Sequence, residues 1–326
     1  MISSAKIETD VLVLYEHTEW QKPLFAALAQ HGVPFEALDL KRAAFVPGDP
    51  VPARLVFNQA SPSAYVRGHA RAVPFALSYL KALEASGVPV VNGAKAFALE
   101  LSKSAQAALL NRLGLRTPRS IAFNDVDVLR ERLAQERDWR WPALLKPEQG
   151  GSGARIEKLA SYDELRAHIE RDAAIWQPDG VLLLQEYCEH DPERGIVRME
   201  MLGGELLYAM RVVSHGRYNL CPSEVCNPSD PADGGRCDIP DRVASAPPVE
   251  FYAYPDVPRA AVGAAARIAR EAGIDIGGIE YLESGDERVF YDINANSNLR
   301  PAIASEFGFD PFDRVVQYLQ RRLDGG

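Results

Sequence analysis

Between Pro142 and Lys158 the chain carries an apolar strand (Pro142 to Lys146), a glycine-rich stretch, and a second short strand (Arg155 to Lys158). The stretch reads Pro147-Glu148-Gln149-Gly150-Gly151-Ser152-Gly153-Ala154. A glycine loop that returns into a strand differs from the common phosphate-binding turns, in which the loop opens a helix. Nor does a glycine-rich turn follow the first strand, where the sequence is Tyr15-Glu16-His17-Thr18, so a Rossmann unit is not expected there. A glycine hairpin can instead fold over phosphates as a lid, because its backbone N–H groups are free to meet phosphate oxygens. Lys146, at the end of the incoming strand, aims a compact cation at the same group. A plain surface hairpin would satisfy the same pattern.

Around this loop the chain alternates short strands with helical stretches. Strands are predicted at Val11 to Tyr15, Phe35 to Leu38, Arg54 to Phe57 and Val88 to Val91, with a helix before Gly32 and a long one from Ala64 to Ser86. This is the signature of an open, mostly parallel sheet. A helix from Ala94 to Leu113 follows, then a strand from Arg119 to Phe123. Asp125 is read as an N-cap, and Ser161 with Glu164 as a capping box. Val181 to Glu186 is an apolar strand. Gly203-Gly204 predicts a tight hairpin between Val197 to Leu202 and Glu205 to Val213. Ser214 to Tyr254 reads as one long irregular loop. An Ala-rich helix from Pro258 to Ala272, a hairpin of Ile276 to Leu282 with Arg288 to Asn294, and a helix from Pro311 to Leu323 complete the chain.

At 326 residues, two or three packed units are expected. With 47% hydrophobic and 25% charged residues, the composition is that of a globular protein. A net charge of −9 argues against a general nucleic-acid binder. No apolar run is long enough to span a membrane, and the first ten residues lack the apolar core of a secretory signal. Four cysteines are too few for a disulfide framework, so a cytoplasmic setting is the default.

Three further groups carry chemistry. Asp292 and Asn294 are two apart on one strand and share a face, and the hairpin turn brings Glu280 opposite them. Two carboxylates and an amide oxygen are hard ligands suited to Mg2+ or Mn2+; ordinary charges on a solvated strand would look the same. Gln185-Glu186-Tyr187 closes an apolar strand with polar groups that could meet an adenine edge. Lys103 lies on the helix after Asn92. In the N-terminal part, Ser61, Ser63 and Arg67 follow a strand end, where ligand crevices form in open sheets; a capped helix start is the alternative.

Taken in order, a helix lysine, a strand lysine with its glycine loop, a polar strand end and an acid/acid/Asn hairpin resemble the ATP-grasp superfamily. The likeness is greatest to its RimK-type carboxylate–amine ligases, with glutathione synthetase and D-alanine–D-alanine ligase more distant. It covers roughly Asn92 to Leu323 and implies an α/β fold: an ATP-grasp module preceded by an open parallel-sheet domain. The implied divisions are 1–100, 101–186 carrying the lid, and 187–326 carrying the metal site. The resemblance implies ATP and Mg2+ (or Mn2+) as cofactors. It assigns Lys103, Lys146, Gly150, Gly151, Ser152 and Gly153 to the phosphates. Gln185, Glu186 and Tyr187 go to the adenine, Glu193 to the ribose, and Glu280, Asp292 and Asn294 to the metal. Arg211, Arg217, Asn219 and Arg300 are assigned to the transferring phosphoryl group and substrate carboxylate.

Departures fall on the acceptor side. Ser297 and Asn298 stand where the family often has proline, and Ile196 stands where an acid often precedes the arginine aligned with Arg198. A cysteine-bearing loop replaces a shorter glycine-rich one. Cys221, Cys226 and Cys237 fit no common zinc spacing; thiols, zinc with His215 or Cys188, and a disulfide all stay open. The implied reaction joins a small-molecule or peptide carboxylate to an amine through an acyl phosphate, in a possible dimer or tetramer. A kinase of the same fold, or a non-catalytic nucleotide binder, are the alternatives.

Overall fold

The computed structural model describes residues 9–151, 153, 155–215 and 249–325. Three sheets organise the described residues. The first is parallel, in the order β2 (Phe35–Asp39), β1 (Thr9–Tyr15), β3 (Ala53–Gln59), β4 (Val90–Val91). It is flanked by α1 (Thr18–Gln30) and α2 (Ala72–Ala85). The single helix expected from Ala64 to Ser86 is two elements. A 3-10 helix over Pro62–Arg67 ends at Gly68, whose φ of 80° leaves the helical region, and α2 starts afterwards.

The second sheet, antiparallel, has the order β5 (Ser120–Phe123), β8 (Leu182–Glu186), β6 (Ala143–Pro147), β7 (Glu157–Leu159). With α5 (Val126–Gln135) and α6 (Tyr162–Arg171) it closes a core of its own, including Leu129, Leu145, Leu165 and Leu184. Asp125 and Ser161 cap these helices as expected; the Glu164 carboxylate accepts from Ala160 N rather than from Ser161 N.

The third sheet, also antiparallel, has the order β11 (Glu250–Ala253), β10 (Glu205–Val213), β9 (Ile196–Leu202), β12 (Ile276–Ser284), β13 (Glu287–Asn294). Gly203 and Gly204 both take positive φ, as the two-residue hairpin requires. β11 was expected as loop; it is a short edge strand paired to Met210–Val213 of β10. One face of this sheet carries Val197, Met199 and Met201 against α4 (Lys103–Arg112) and α7 (Arg259–Ala272). Ala261, Ala265, Ile268, Ala269 and Ala272 form the buried stripe of α7, small enough for close approach. Ile196, Arg198 and Glu200 therefore point to the other face.

The helix expected from Ala94 to Leu113 breaks into α3 (Ala94–Glu100) and α4, because the Ser102 hydroxyl accepts from Ala105 N and starts a new helix. The short α8 (Pro301–Ser305) and the terminal α9 (Pro311–Asp324) pack back toward the first sheet, sharing one core with Val11, Leu24, Met210 and Ile276. Asn92, buried and left-handed (φ 56°), pins the first and third sheets together. Its Nδ2 donates to Ile276 O and Ala295 O, and its Oδ1 accepts from Asp275 N and Ile276 N. Among the described residues no helix is long and apolar enough to cross a membrane.

Candidate active site

The acids come together where β12 and β13 pair. Glu280 sits opposite Asp292 in the ladder, and a bulge follows, so that Tyr281 pairs with Phe290 and Tyr291 is the extra residue. The bulge lets Tyr291 and Asp292 both serve the site while Phe290 and Ile293 stay in the core. The Tyr291 hydroxyl donates to Glu280 Oε2 at 2.8 Å. Asn294 spends its Nδ2 on Asp292 Oδ2 (3.2 Å) and Gly278 O (3.4 Å), which leaves its amide oxygen for a cation. Two carboxylates and this oxygen fit a hard divalent ion.

Each acid already faces a cation. Lys103 Nζ donates to Asp292 Oδ1. Arg198, directly opposite Glu280 on β9, donates from Nη1 to Glu280 Oε1 at 2.7 Å. Arg198 Nε also reaches Glu200 Oε1 (2.6 Å) and its Nη2 reaches Ser297 Oγ (2.9 Å). Burial, then the neighbouring Asp292 charge, push Glu280 above the usual carboxylate range. Burial acts on Asp292 in the same sense, but the Lys103 ammonium overrides it and holds Asp292 low.

The two lysines are brought together by Glu148. Its carboxylate accepts from Ser102 Oγ (2.6 Å) and from Ser104 N (3.0 Å), fixing the start of α4 against the end of β6. Lys146, on β6, donates to Gln185 Oε1 on β8 at 2.5 Å. It is buried, and burial with repulsion from Lys103 lowers its ammonium to about 8.

A cavity of about 450 Å3 opens between the second and third sheets. Lys103, Lys146, Gly150, Gly151 and Gly153 line one end of it with Glu280 and Asp292. Leu144, Ile156, Ile196, Leu282 and Tyr187 give it apolar walls, beside the polar strand end Gln185-Glu186 and the free thiol of Cys188. Glu186 is held by Arg116 and by Arg119 N. Lys158 Nζ lies 3.5 Å from the Tyr187 ring centroid.

A second cavity, about 140 Å3 as bounded by the described residues, lies between the first and third sheets under the glycine loop. Trp20, Ser61, Ser63, Glu100, Arg198, Phe251, Asn296 and Arg300 line it. The two cavities share Gly151, Gly153, Glu280 and Asp292 as walls. The loop rests on the 3-10 helix Pro62–Arg67: a Cβ on Gly151 would fall 2.8 Å from Ser63 Cβ. Arg67 stands behind this wall, paired with the buried Glu16 at 2.5 Å and donating to Ser63 Oγ at 3.0 Å.

Several expected residues fall elsewhere. Arg211 lies apart from both cavities: Met210 and Val212 line the second, so the residue between them faces away. Its guanidinium pairs with Glu283 (3.2 Å) and stacks on Tyr254. Glu193 is an exposed turn residue that lines neither cavity, where Pro192 does. Ser152, Arg217, Asn219, Cys221, Cys226 and Cys237 lie outside the described residues. Arg198, Glu148, Tyr291 and Glu100 are site residues that the sequence reading did not assign. For Arg198 and Glu200 a signal existed: two charges two apart in an otherwise apolar strand.

No protein-family model matches the chain, and no curated protein matches it in sequence. Solved structures do. A RimK-domain ATP-grasp protein from Sphaerobacter thermophilus DSM 20745 is 16% identical, covering 95% of this chain and 99% of that one, with a TM-score of 0.64. The ATP-grasp ligase PsnB, complexed with a minimal precursor, Mg and ADP, is 18% identical over 98% and 99% of the two chains, with a TM-score of 0.63. D-alanine–D-alanine ligase from Bacillus anthracis is 11% identical over 98% and 97%, with a TM-score of 0.66. The chain has the ATP-grasp fold, in the arrangement of the RimK-type proteins it resembles.

Proposed function

We propose that this protein is an ATP-dependent carboxylate–amine ligase that works through an acyl phosphate. The observation that carries the reading is the meeting of two cavities at one acid pair beneath the glycine loop. The larger suits a nucleotide, and the smaller holds the substrate beside the γ-phosphate. The neighbours' printed activities agree: PsnB is an ATP-grasp ligase and the B. anthracis protein a D-alanine–D-alanine ligase.

The reaction brings anions together, so positioning and charge neutralisation do most of the work. Lys103 and Lys146 bind the phosphates. Glu280, Asp292 and Asn294 would hold Mg2+, which when bound supplies neutralisation of phosphate oxygens. Lys103 and Arg198, paired here with Asp292 and Glu280, would face the phosphoryl group and the substrate when the acids hold the ion. Arg300 binds a substrate carboxylate. The substrate carboxylate oxygen attacks the γ-phosphorus and the bond to ADP breaks. The amine then attacks the acyl carbon, loses a proton and expels phosphate. Gly150, Gly151 and Gly153 close against Ser63 and keep water from the acyl phosphate.

A screen of carboxylate–amine pairs, read by ADP formation and product mass, tests this. Coupled product with one ADP per bond supports the ligase. ADP formation with a stable phosphorylated product and no need for amine would make the protein a kinase instead.

A further inference from the structure

The buried acids around the site have partners, with one exception. Glu280 has Arg198 and Tyr291, Glu200 has Arg198 and Ser297, and Asp292 has Lys103 and Asn294. Glu100, the last residue of α3, is 3% exposed and lines the smaller cavity. One of its oxygens accepts from Asn296 N at 3.2 Å, while Oε2 has no hydrogen-bond partner among the described residues. An unsatisfied carboxylate oxygen is expensive to bury and is best relieved by a cation. The same cavity holds Arg300, whose guanidinium lies over the Phe251 ring and makes no hydrogen bond among the described residues. Among the described residues, one small cavity thus carries a carboxyl oxygen with no partner and a guanidinium that meets an aromatic face but no anion.

We propose that Glu100 selects a zwitterionic substrate by receiving its ammonium group, so that the acid activated by ATP is an amino acid. This rests on the ligase reading. Arg300 steadies the carboxylate end, and the shared wall of Glu280 and Asp292 sets that end beside the phosphate. Burial raises Glu100 to about 8 against the pull of Asn296 N, Lys103 and Arg198, so a cation brought against Oε2 would favour its charged form.

Hydroxylamine, a neutral nucleophile, isolates the first half of the reaction by trapping the acyl phosphate as a hydroxamate. The probes are the common amino acids in both enantiomers and their des-amino counterparts, such as alanine and propionate, with ATP and Mg2+. The wild type should prefer the amino acid by about tenfold or more in kcat/KM, the worth of a charge-assisted hydrogen bond. Glu100→Gln keeps the acceptor for Asn296 N and the side-chain volume, and should collapse that preference toward one. Glu100→Asp should keep part of it. If Glu100 is only a neutral structural group, Glu100→Gln leaves the preference intact, and the proposal is overturned. Hydroxamate only from acids lacking an amine overturns it too, with the ligase reading left standing. No hydroxamate from either class counts against the ligase reading and removes this proposal with it.

Discussion

Gly278 offers a sharp test of how the site is built. It lies on β12 two residues before Glu280, opposite Glu200 of β9. A Cβ there would fall 2.5 Å from Cζ and 2.7 Å from Nε of Arg198, where ordinary contact begins at 3.4 Å. The guanidinium cannot swing aside freely, because Glu200, Glu280 and Ser297 hold three of its nitrogens. Gly278→Ala must therefore strain the strand or break one of those bonds. Overpacking costs about 1–3 kcal/mol, and one hydrogen bond to a charged group about 1.5–3 kcal/mol, so a loss near 2 kcal/mol is expected. Arg198→Ala leaves two buried carboxylates without their cation and should cost about 3–5 kcal/mol. In that background the methyl group meets no guanidinium, so Gly278→Ala should add almost nothing. Urea unfolding of the four proteins closes the cycle, with a coupling of about 2 kcal/mol in magnitude. Additive losses, or a Gly278→Ala protein within about 0.5 kcal/mol of wild type, would refute the packing of Arg198 over Gly278.

Three more outcomes follow from the same geometry. Lys146 is charged at pH 7 and loses its proton as the pH rises through about 8, so ATP affinity measured by calorimetry should weaken from pH 7 to 9.5. Lys146→Arg, which stays charged, should flatten that profile. Asp292→Asn leaves Lys103 without its anion and removes a metal ligand, and should lower Mg2+-dependent ADP formation by about 100-fold or more. Gly151→Ala presses the loop off Ser63, so the ratio of phosphate released to product formed should rise as water enters.

What could be read in advance follows physical range. The glycine hairpin, the Asp292/Asn294 pair and the Gly203-Gly204 turn depend on neighbours in sequence, and strand periodicity was enough to place them. The side on which Arg211 falls could not be read, because β10 is buried on both faces around it and only the register with β9 decides which side meets the cavity. Arg198 became a site residue through a cross-strand pairing with Glu280, 82 positions away. Tyr291 needed a bulge, and Glu148 a capping contact to a distant helix, neither of which leaves a periodic trace. β11 escaped notice because four residues at a sheet edge carry too short a pattern.

The ligase reading requires a carboxylate oxygen to attack the γ-phosphorus at the shared wall of the two cavities. Labelling the active carboxylate with oxygen-18 and measuring the mass of the released phosphate tests it directly. One labelled oxygen should pass to phosphate for each bond formed, with transfer lost in Asp292→Asn. Phosphate released without label, at a rate matching product formation, would contradict it.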